Sequence, residues 1–92
     1  MNPMQIERDI IPNLQFPRDE VLNSNSEMEK RVVDAYKGML LGNIYKGKVK
    51  IIFGDKDGIK QVETTIWVVT ENMILLKRGV QIPLRRIYKI IT

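Results

Sequence analysis

The sequence predicts a mainly β domain, in which one N-terminal α-helix precedes five short antiparallel strands that curl into a small barrel. Three observations support this. Residues 45–91 alternate between lysine-rich and apolar positions, which is the period of a strand. Glycine-containing turns interrupt them at short intervals. Only before them do apolar residues recur at steps of three and four. At 92 residues the chain has room for one small domain.

Residues 1–23 are predicted to form an N-terminal arm. Pro3, Pro12 and Pro17 exclude a long helix, because each ring removes an amide donor and restricts the preceding residue. Two alternatives remain open, a flexible tail and an arm that docks on its own barrel or on a neighbour. The apolar side chains available for docking are Ile10, Ile11, Leu14 and Phe16. The chain therefore divides into an arm, 1–23, and a helix-plus-barrel domain, 24–92.

The helix is predicted from its start signal and its apolar spacing. Residues 24–27 and 26–29 both fit the capping box, in which a serine and a glutamate three residues later satisfy free amides of the first turn. Gly42 and Asn43 are a natural stop, so the helix is expected at about Glu27–Leu41. Its predicted apolar stripe consists of Met28, Val32, Ala35, Tyr36, Met39 and Leu40.

Five strands follow, with Leu84 and Arg85 expected in one short helical turn before the last. Burial favours a register in which Phe53 lies opposite Lys60 and Lys50 lies opposite Glu63. The predicted strands are Tyr45–Phe53, Ile59–Thr70, Met73–Lys77, Val80–Pro83 and Arg86–Ile91.

The second and third predicted strands are apolar on both faces. Pairing Thr70 with Met73 sets Val68 against Leu75 on the inner face. The outer face then holds Trp67, Val69, Ile74 and Leu76. Such a sheet needs a second cover, either the helix or a symmetric neighbour. A core position under the helix is favoured for Trp67, and ligand contact is the alternative.

Composition argues against an enzyme. The chain has no cysteine and no histidine, which removes disulfides, thiolate nucleophiles, imidazole bases and imidazole or thiolate metal ligands. Asp55 and Asp57 share a turn bounded by glycines, but the turn lacks the spacing of a calcium loop. We expect no cofactor and no metal. Neither a leader peptide nor a membrane-spanning apolar run is evident, so a soluble cytoplasmic protein without membrane contact is expected.

Positive charge is concentrated in the predicted sheet. Residues 1–42 hold 5 Lys/Arg against 7 Asp/Glu, whereas residues 43–92 hold 10 against 4, so the balances are −2 and +6. This asymmetry suggests a polyanionic partner, although lysines on solvated strands also serve solubility. The candidate contacts to single-stranded RNA or DNA are Lys46, Lys48, Lys50, Lys77, Arg78, Arg85 and Arg86.

The segment 74–87 carries a family resemblance. It resembles the end of Sm-like and SH3-like small barrels, including the Rof-like inhibitors of transcription termination, which also close with a Leu-x-x-Ile segment. The chain is also similar to a group of small uncharacterised bacterial proteins with Lys-Val-Lys-Ile, Glu-Thr-Thr-Ile-Trp and Ile-Pro-Leu-Arg-Arg-Ile in this order. The resemblance implies a five-stranded SH3/Sm-like barrel. No Asp/Asn pair matches the Sm uridine pocket, and the basic-histidine motif of bacterial RNA-chaperone rings is absent.

Two hypotheses for function follow. The first is a non-catalytic small-barrel module that binds nucleic acid or regulates transcription or RNA. The second is an oligomeric protein–protein adaptor with no nucleic-acid role, which would use the arm 1–23 or the surface of Trp67, Val69, Ile74 and Leu76. Salt distinguishes them, because polyanion binding weakens steeply as ionic strength rises and apolar association does not.

Overall fold

The computed structural model describes residues 2–92, and within them seven strands form two open sheets beside one long helix. The predicted five-stranded closed barrel is therefore wrong, since the fold is mixed α/β with roughly 36% helix and 35% strand. Short 3-10 helices cover Arg8–Asn13, Lys77–Gly79 and Leu84–Arg86, and the last of them confirms the helical turn expected there. The main elements are β1 (Met4–Gln5), α1 (Asn25–Tyr45), β2 (Val49–Asp55), β3 (Gly58–Thr64), β4 (Ile66–Val69), β5 (Met73–Leu76), β6 (Gln81–Pro83) and β7 (Ile87–Ile91).

The first sheet has the strand order β1-β3-β2-β7. Its central pair confirms the predicted register, with Phe53 opposite Lys60 and Lys50 opposite Glu63. Alternation along β2 buries Val49, Ile51 and Phe53 on one face. Burial of this face is the reason that the register could be predicted from the sequence.

The second sheet has the order β4-β5-β6, and its separation from the first explains why no barrel closes. The predicted second strand, 59–70, is divided at Thr65. The Thr65 carbonyl accepts a hydrogen bond from the Lys77 amide (3.0 Å), and its hydroxyl donates to the Gly47 carbonyl (3.3 Å). Neither bond belongs to the strand pairing of the first or the second sheet, and Thr65 itself lies in no strand. β4 and β6 each pair only with β5, so the second sheet keeps two open edges.

A β-bulge in β4 overturns the position predicted for Trp67. Ile66, rather than Trp67, lies opposite Leu76, and the register shifts before Val68 pairs with Leu75. A bulge leaves the extra residue unpaired and turns its side chain. Trp67 is consequently 42% exposed, and the core position expected for it is wrong. Ile66 occupies the core instead.

The same sheet buries most of the surface proposed for a protein partner. Val69, Ile74 and Leu76 are all buried inside this chain, and only Trp67 of that group is exposed. Val68, predicted to face inward, is exposed. The apolar faces of these strands are thus covered largely by other parts of the same chain.

The helix begins at the first of the two predicted caps, Ser24, which is earlier than the expected start at Glu27, and it ends later than expected. The Ser24 hydroxyl accepts a hydrogen bond from the Glu27 amide (3.2 Å), which confirms the serine half of the capping box. The Glu27 carboxylate accepts from the Ser24 hydroxyl (3.0 Å) and not from a backbone amide, so the glutamate half differs from the prediction. The helix continues past Gly42 and closes at Lys46, which adopts a left-handed conformation with φ of 54°. No helix within residues 2–92 combines the length and apolar character that a membrane crossing requires.

The helix face that packs on the sheets matches the predicted stripe only in part, since Ala35 and Met39 of the stripe do pack against the core. Ala35, Gly38 and Gly42 are buried against the sheets, whereas Val32, Tyr36 and Leu40 of the predicted stripe are exposed. A Cβ on Gly38 would lie 3.0 Å from Ile66 Cδ1, and one on Gly42 would lie 2.6 Å from the Ile66 carbonyl oxygen. The small residues therefore allow α1 to lie directly on β4.

The N-terminal segment lies on its own chain. β1 pairs in parallel with β3, Ile11 is buried in the core, and the ring of Phe16 lies 6.0 Å from that of Phe53. The Val21 amide donates to the Arg85 carbonyl (2.9 Å). Ile10 remains exposed. Residues 2–23 thus complete the core that the sheets begin.

Candidate functional site

The seven predicted basic residues separate into structural and exposed groups. Arg86 is buried, where its Nε donates to the Gly54 carbonyl (2.9 Å) and its Nη1 donates to the Asp19 carbonyl (3.0 Å) and carboxylate (3.2 Å). Arg85 Nε donates to the Pro17 carbonyl (3.2 Å). Both guanidinium groups hold the N-terminal segment, so we remove them from the candidate site. Lys50 is half-buried opposite Glu63 in the first sheet.

Lys46 and Lys77 converge with Trp67 on one cleft. The cleft has a volume of about 390 Å³. Its lining residues are Gly42, Asn43, Lys46, Thr65, Trp67 and Lys77. None of these residues is acidic, so the charged side chains there are both positive. We call this surface the Trp67 cleft.

Three local features of the chain build the Trp67 cleft. The bulge in β4 turns Trp67 outward. The left-handed conformation of Lys46 ends α1 and is fixed by its amide, which donates to the Leu41 carbonyl. The Lys77 amide donates to the Thr65 carbonyl, which holds the start of the 3-10 turn beside the break between the sheets. Arg78 follows in that turn, exposed and left-handed, with φ of 69°.

A second cleft adjoins the first and has a different charge. Its volume is about 260 Å³, and Lys77 and Thr65 line both clefts. The second cleft contains three basic and three acidic residues. These are Arg8, Lys48 and Lys77 with Glu7, Asp9 and Glu63. Arg8 Nη2 lies 3.6 Å from the Asp9 carboxylate. This cleft is charge-balanced, which makes Lys48 a weaker candidate for binding a polyanion than Lys46.

Sequence reasoning missed the buried ion pair between α1 and the N-terminal segment. Arg31 donates two hydrogen bonds to the Glu20 carboxylate (2.6 and 2.7 Å) and a third to the Ile87 carbonyl (3.1 Å). The Arg31 hydrogen bonds lower the pKa of Glu20 below its ordinary value and outweigh the burial that raises it. The sequence signal for the burial of Arg31 was spacing. Arg31 stands four residues before Ala35, which puts both residues on the same face of the helix.

The acidic turn considered for a cation holds a lysine instead. Asp55 Oδ1 accepts hydrogen bonds from the Asp57 and Gly58 amides and from Lys60 Nζ (2.8 Å). Burial raises the pKa of Asp55. The hydrogen bond and charge of Lys60, together with the turn amides, lower the pKa by more, so the net shift is downward. Within residues 2–92, no three His, Cys, Asp or Glu side chains gather where they would hold a metal.

Catalytic chemistry finds no support in these two carboxylates. A general acid at neutral pH needs a raised pKa, and a general base needs one near 7. The pKa values of Glu20 and Asp55 are both lowered by paired cations. They serve as structural anions.

No family model, curated protein or solved structure matches the chain. The resemblance to Sm-like and Rof-like small barrels therefore remains a prediction. Because a fold does not determine a function, the chemistry of the Trp67 cleft is the basis of the function proposed below.

Proposed function

We propose that the chain is a non-catalytic binding module for single-stranded nucleic acid and that it acts in RNA or transcription regulation in the cytoplasm. The single observation that carries the proposal is the exposed Trp67 ring in a cleft with Lys46 and Lys77 and without a carboxylate. An exposed aromatic ring beside cations is how proteins hold unpaired bases and their phosphates.

Each side chain has a distinct role in this proposal. Trp67 stacks on a base, which contributes about 1–3 kcal/mol and tolerates any base, because every base has a π face. Lys46 and Lys77 bind the adjoining phosphates, and Arg78 extends the positive surface along the 3-10 turn. Each neutralised phosphate on a single strand changes the slope of log K against log salt by about −0.7. Weak sequence preference and a strong salt dependence follow.

The adaptor hypothesis has less support. The surface assigned to it included Val69, Ile74 and Leu76, and all three are buried within this chain. Residues 2–23 of the arm also pack largely against the core of the same chain. The remaining exposed member, Trp67, belongs to the basic cleft.

Fluorescence anisotropy tests the proposal with labelled oligo(U) RNA and oligo(dT) DNA of about 12 nucleotides, a length within the usual single-strand site sizes. We expect binding that weakens between about 50 mM and about 200 mM salt. Trp67→Ala is expected to weaken binding about 10-fold. Val68→Ala is the matched control, because Val68 has nearly the same exposure on the same strand and does not line the cleft.

The lysines have their own pair of variants. Lys46→Gln is expected to reduce the salt slope by about 0.7. Lys48→Gln, in the charge-balanced cleft, is the control and is expected to change the slope less. Trp67 is the only tryptophan, so quenching of its fluorescence by unlabelled oligonucleotide reports contact directly. If the folded protein binds neither oligonucleotide at low salt, the proposal is contradicted and the adaptor hypothesis is favoured.

A further inference from the structure

The solvent-facing side of α1 carries an apolar stripe that the fold does not use. Four of its residues recur at intervals of four, and Val33 lies beside them on the same side. All five are exposed, from 37% at Val32 to 64% at Ile44. The members of the stripe are Val32, Val33, Tyr36, Leu40 and Ile44.

The stripe is not needed to attach α1 to its own chain. That attachment uses the opposite side of the helix, where Ala35, Gly38 and Gly42 are buried. The five exposed side chains together leave on the order of 500 Å² of surface accessible, which is in the range of patches that mark interaction sites. An apolar patch of this size is often an interaction surface.

We propose that the occupant is a second copy of this chain and that two α1 helices pair antiparallel across a two-fold axis. The spacing of the stripe is self-complementary about its centre. With the axis between Tyr36 and Leu40, each Tyr36 faces the partner's Leu40, and each Val32 faces the partner's Ile44. A two-fold interface requires this reciprocity, because each residue and its counterpart exchange roles in the two copies.

Charge selects the antiparallel arrangement over the parallel one. The first turns of α1 carry exposed Glu27, Glu29 and Lys30, and Lys30 is paired with Asp34 of its own helix (2.7 Å), so that Glu27 and Glu29 remain. The segment after the helix carries Lys46 and Lys48, both exposed. Antiparallel pairing brings the acidic end of each helix to the basic end of the other. It also opposes the two helix dipoles. Parallel pairing would set Glu29 against the partner's Glu29, which is unfavourable.

The available area indicates a weak, reversible dimer. A standard protein interface buries about 800 Å² on each partner, with an apolar centre and a polar rim. The stripe supplies most of this centre, and the charged ends of the helix supply the rim. A dimer of this kind dissociates on dilution, with Kd in the micromolar range. None of the five stripe residues lines the Trp67 cleft, so dimerisation can be tested separately from nucleic-acid binding; Lys46 is the residue that both proposals use.

Sedimentation velocity from about 5 μM to about 500 μM protein tests the dimer. The sedimenting mass is expected to rise towards twice the 10.7 kDa chain mass. Leu40→Glu, at the centre of the stripe, is expected to weaken the dimer at least ~30-fold. Met4→Glu is the matched control, since Met4 is also exposed and lies on β1, at the sheet edge opposite β7. Circular dichroism verifies that both variants remain folded.

A charge exchange tests the direction of the pairing. Glu29→Lys alone is expected to weaken the dimer, and adding Lys46→Glu to the same chain is expected to restore it. Failure of that restoration overturns the antiparallel arrangement. A chain that stays monomeric throughout, or a dimer indifferent to Leu40→Glu, overturns the second copy as occupant. A monomer that binds vesicles of anionic phospholipid through the same stripe assigns it instead to a membrane surface.

Discussion

Two positively charged regions of this molecule differ in whether their cations are bonded to groups inside the fold. At one, the guanidinium groups of Arg31, Arg85 and Arg86 donate to carbonyls and carboxylates inside the fold. At the other, Lys46 and Lys77 border the Trp67 cleft, and within residues 2–92 neither lysine has a carboxylate within ion-pair distance. Net charge alone does not distinguish the two regions.

The difference follows from the chemistry of the two side chains. A guanidinium presents several donors in a planar fork, which suits several fixed acceptors at once, as Arg31 has in Glu20 and the Ile87 carbonyl. An ammonium group is a compact, strongly hydrated charge on a flexible chain. The arginine region therefore contributes to folding, and the lysine region remains available to a ligand.

The largest expected effect comes from breaking the arginine region. Arg31→Ala leaves the Glu20 carboxylate with the Leu22 amide (3.0 Å) as a remaining donor and removes the Arg31 donor from the Ile87 carbonyl, so we expect a loss of about 3 kcal/mol in the free energy of unfolding. This is the lower end of the range for buried pairs, because Glu20 is partly exposed. Urea denaturation measures it. Lys77→Ala is the comparison and is expected to change stability by less than about 0.5 kcal/mol. Equal losses in the two variants would refute the distinction between the regions.

The cleft region has one steric requirement, at Gly42. In Gly42→Ala the new Cβ would lie 2.6 Å from the Ile66 carbonyl oxygen and 2.8 Å from Thr65 Cγ2. The helix end must move away from β4, at an expected cost of about 1–3 kcal/mol. Thermal denaturation measures it. Gly47→Ala is the matched control, because its Cβ would meet Leu41 at an ordinary 3.8 Å. If both variants melt alike, the close helix–strand contact is not a constraint.

Acid should weaken the arginine region, and also the Asp55–Lys60 pair, because the pKa values of Glu20 and Asp55 are both lowered in the folded state. The folded-state pKa of Glu20 is lowered from its ordinary 4.5, so the Arg31–Glu20 pair stabilises the fold fully above that pH and loses its contribution as pH falls through the lowered pKa. We expect wild-type stability to decline below about pH 4.5. Glu20→Gln is expected to decline less over the same interval, as followed by urea denaturation at several pH values. An identical decline in the variant would contradict this assignment.

Local signals predicted the parts of the fold that depend on near neighbours. The Ser24 cap and the pairing of Phe53 with Lys60 were confirmed, because capping involves one turn and the β2–β3 register is fixed by alternation across a short turn. The predicted helix end was wrong because it relied on a local signal at a position where a long-range contact decides the structure. Gly42 is a common stop residue, but here it permits the contact with Ile66, and no local pattern distinguishes the two uses.

The candidate site was predicted only in part. The sequence identified Lys46 and Lys77, since positive charge is visible in composition. It did not identify the buried role of Arg86, whose acceptors are 32 and 67 residues away in the chain. The bulge that exposes Trp67 was also missed, because strict alternation placed that residue opposite Leu76. Long-range contacts decided both outcomes.

Trp67→Ala is expected to reduce stability less than the Arg31 and Gly42 substitutions do, and it tests the lysine region most directly. Because its ring is 42% exposed, Trp67→Ala removes fewer buried contacts than truncation of a core tryptophan, for which the cost is about 3–5 kcal/mol. We expect a loss of about 1 kcal/mol or less, measured by urea denaturation. Ile66→Ala is the comparison, since the fully buried Ile66 should cost about 2–5 kcal/mol. A Trp67→Ala loss as large as that of Ile66→Ala would make Trp67 a structural residue and leave the cleft without its stacking ring.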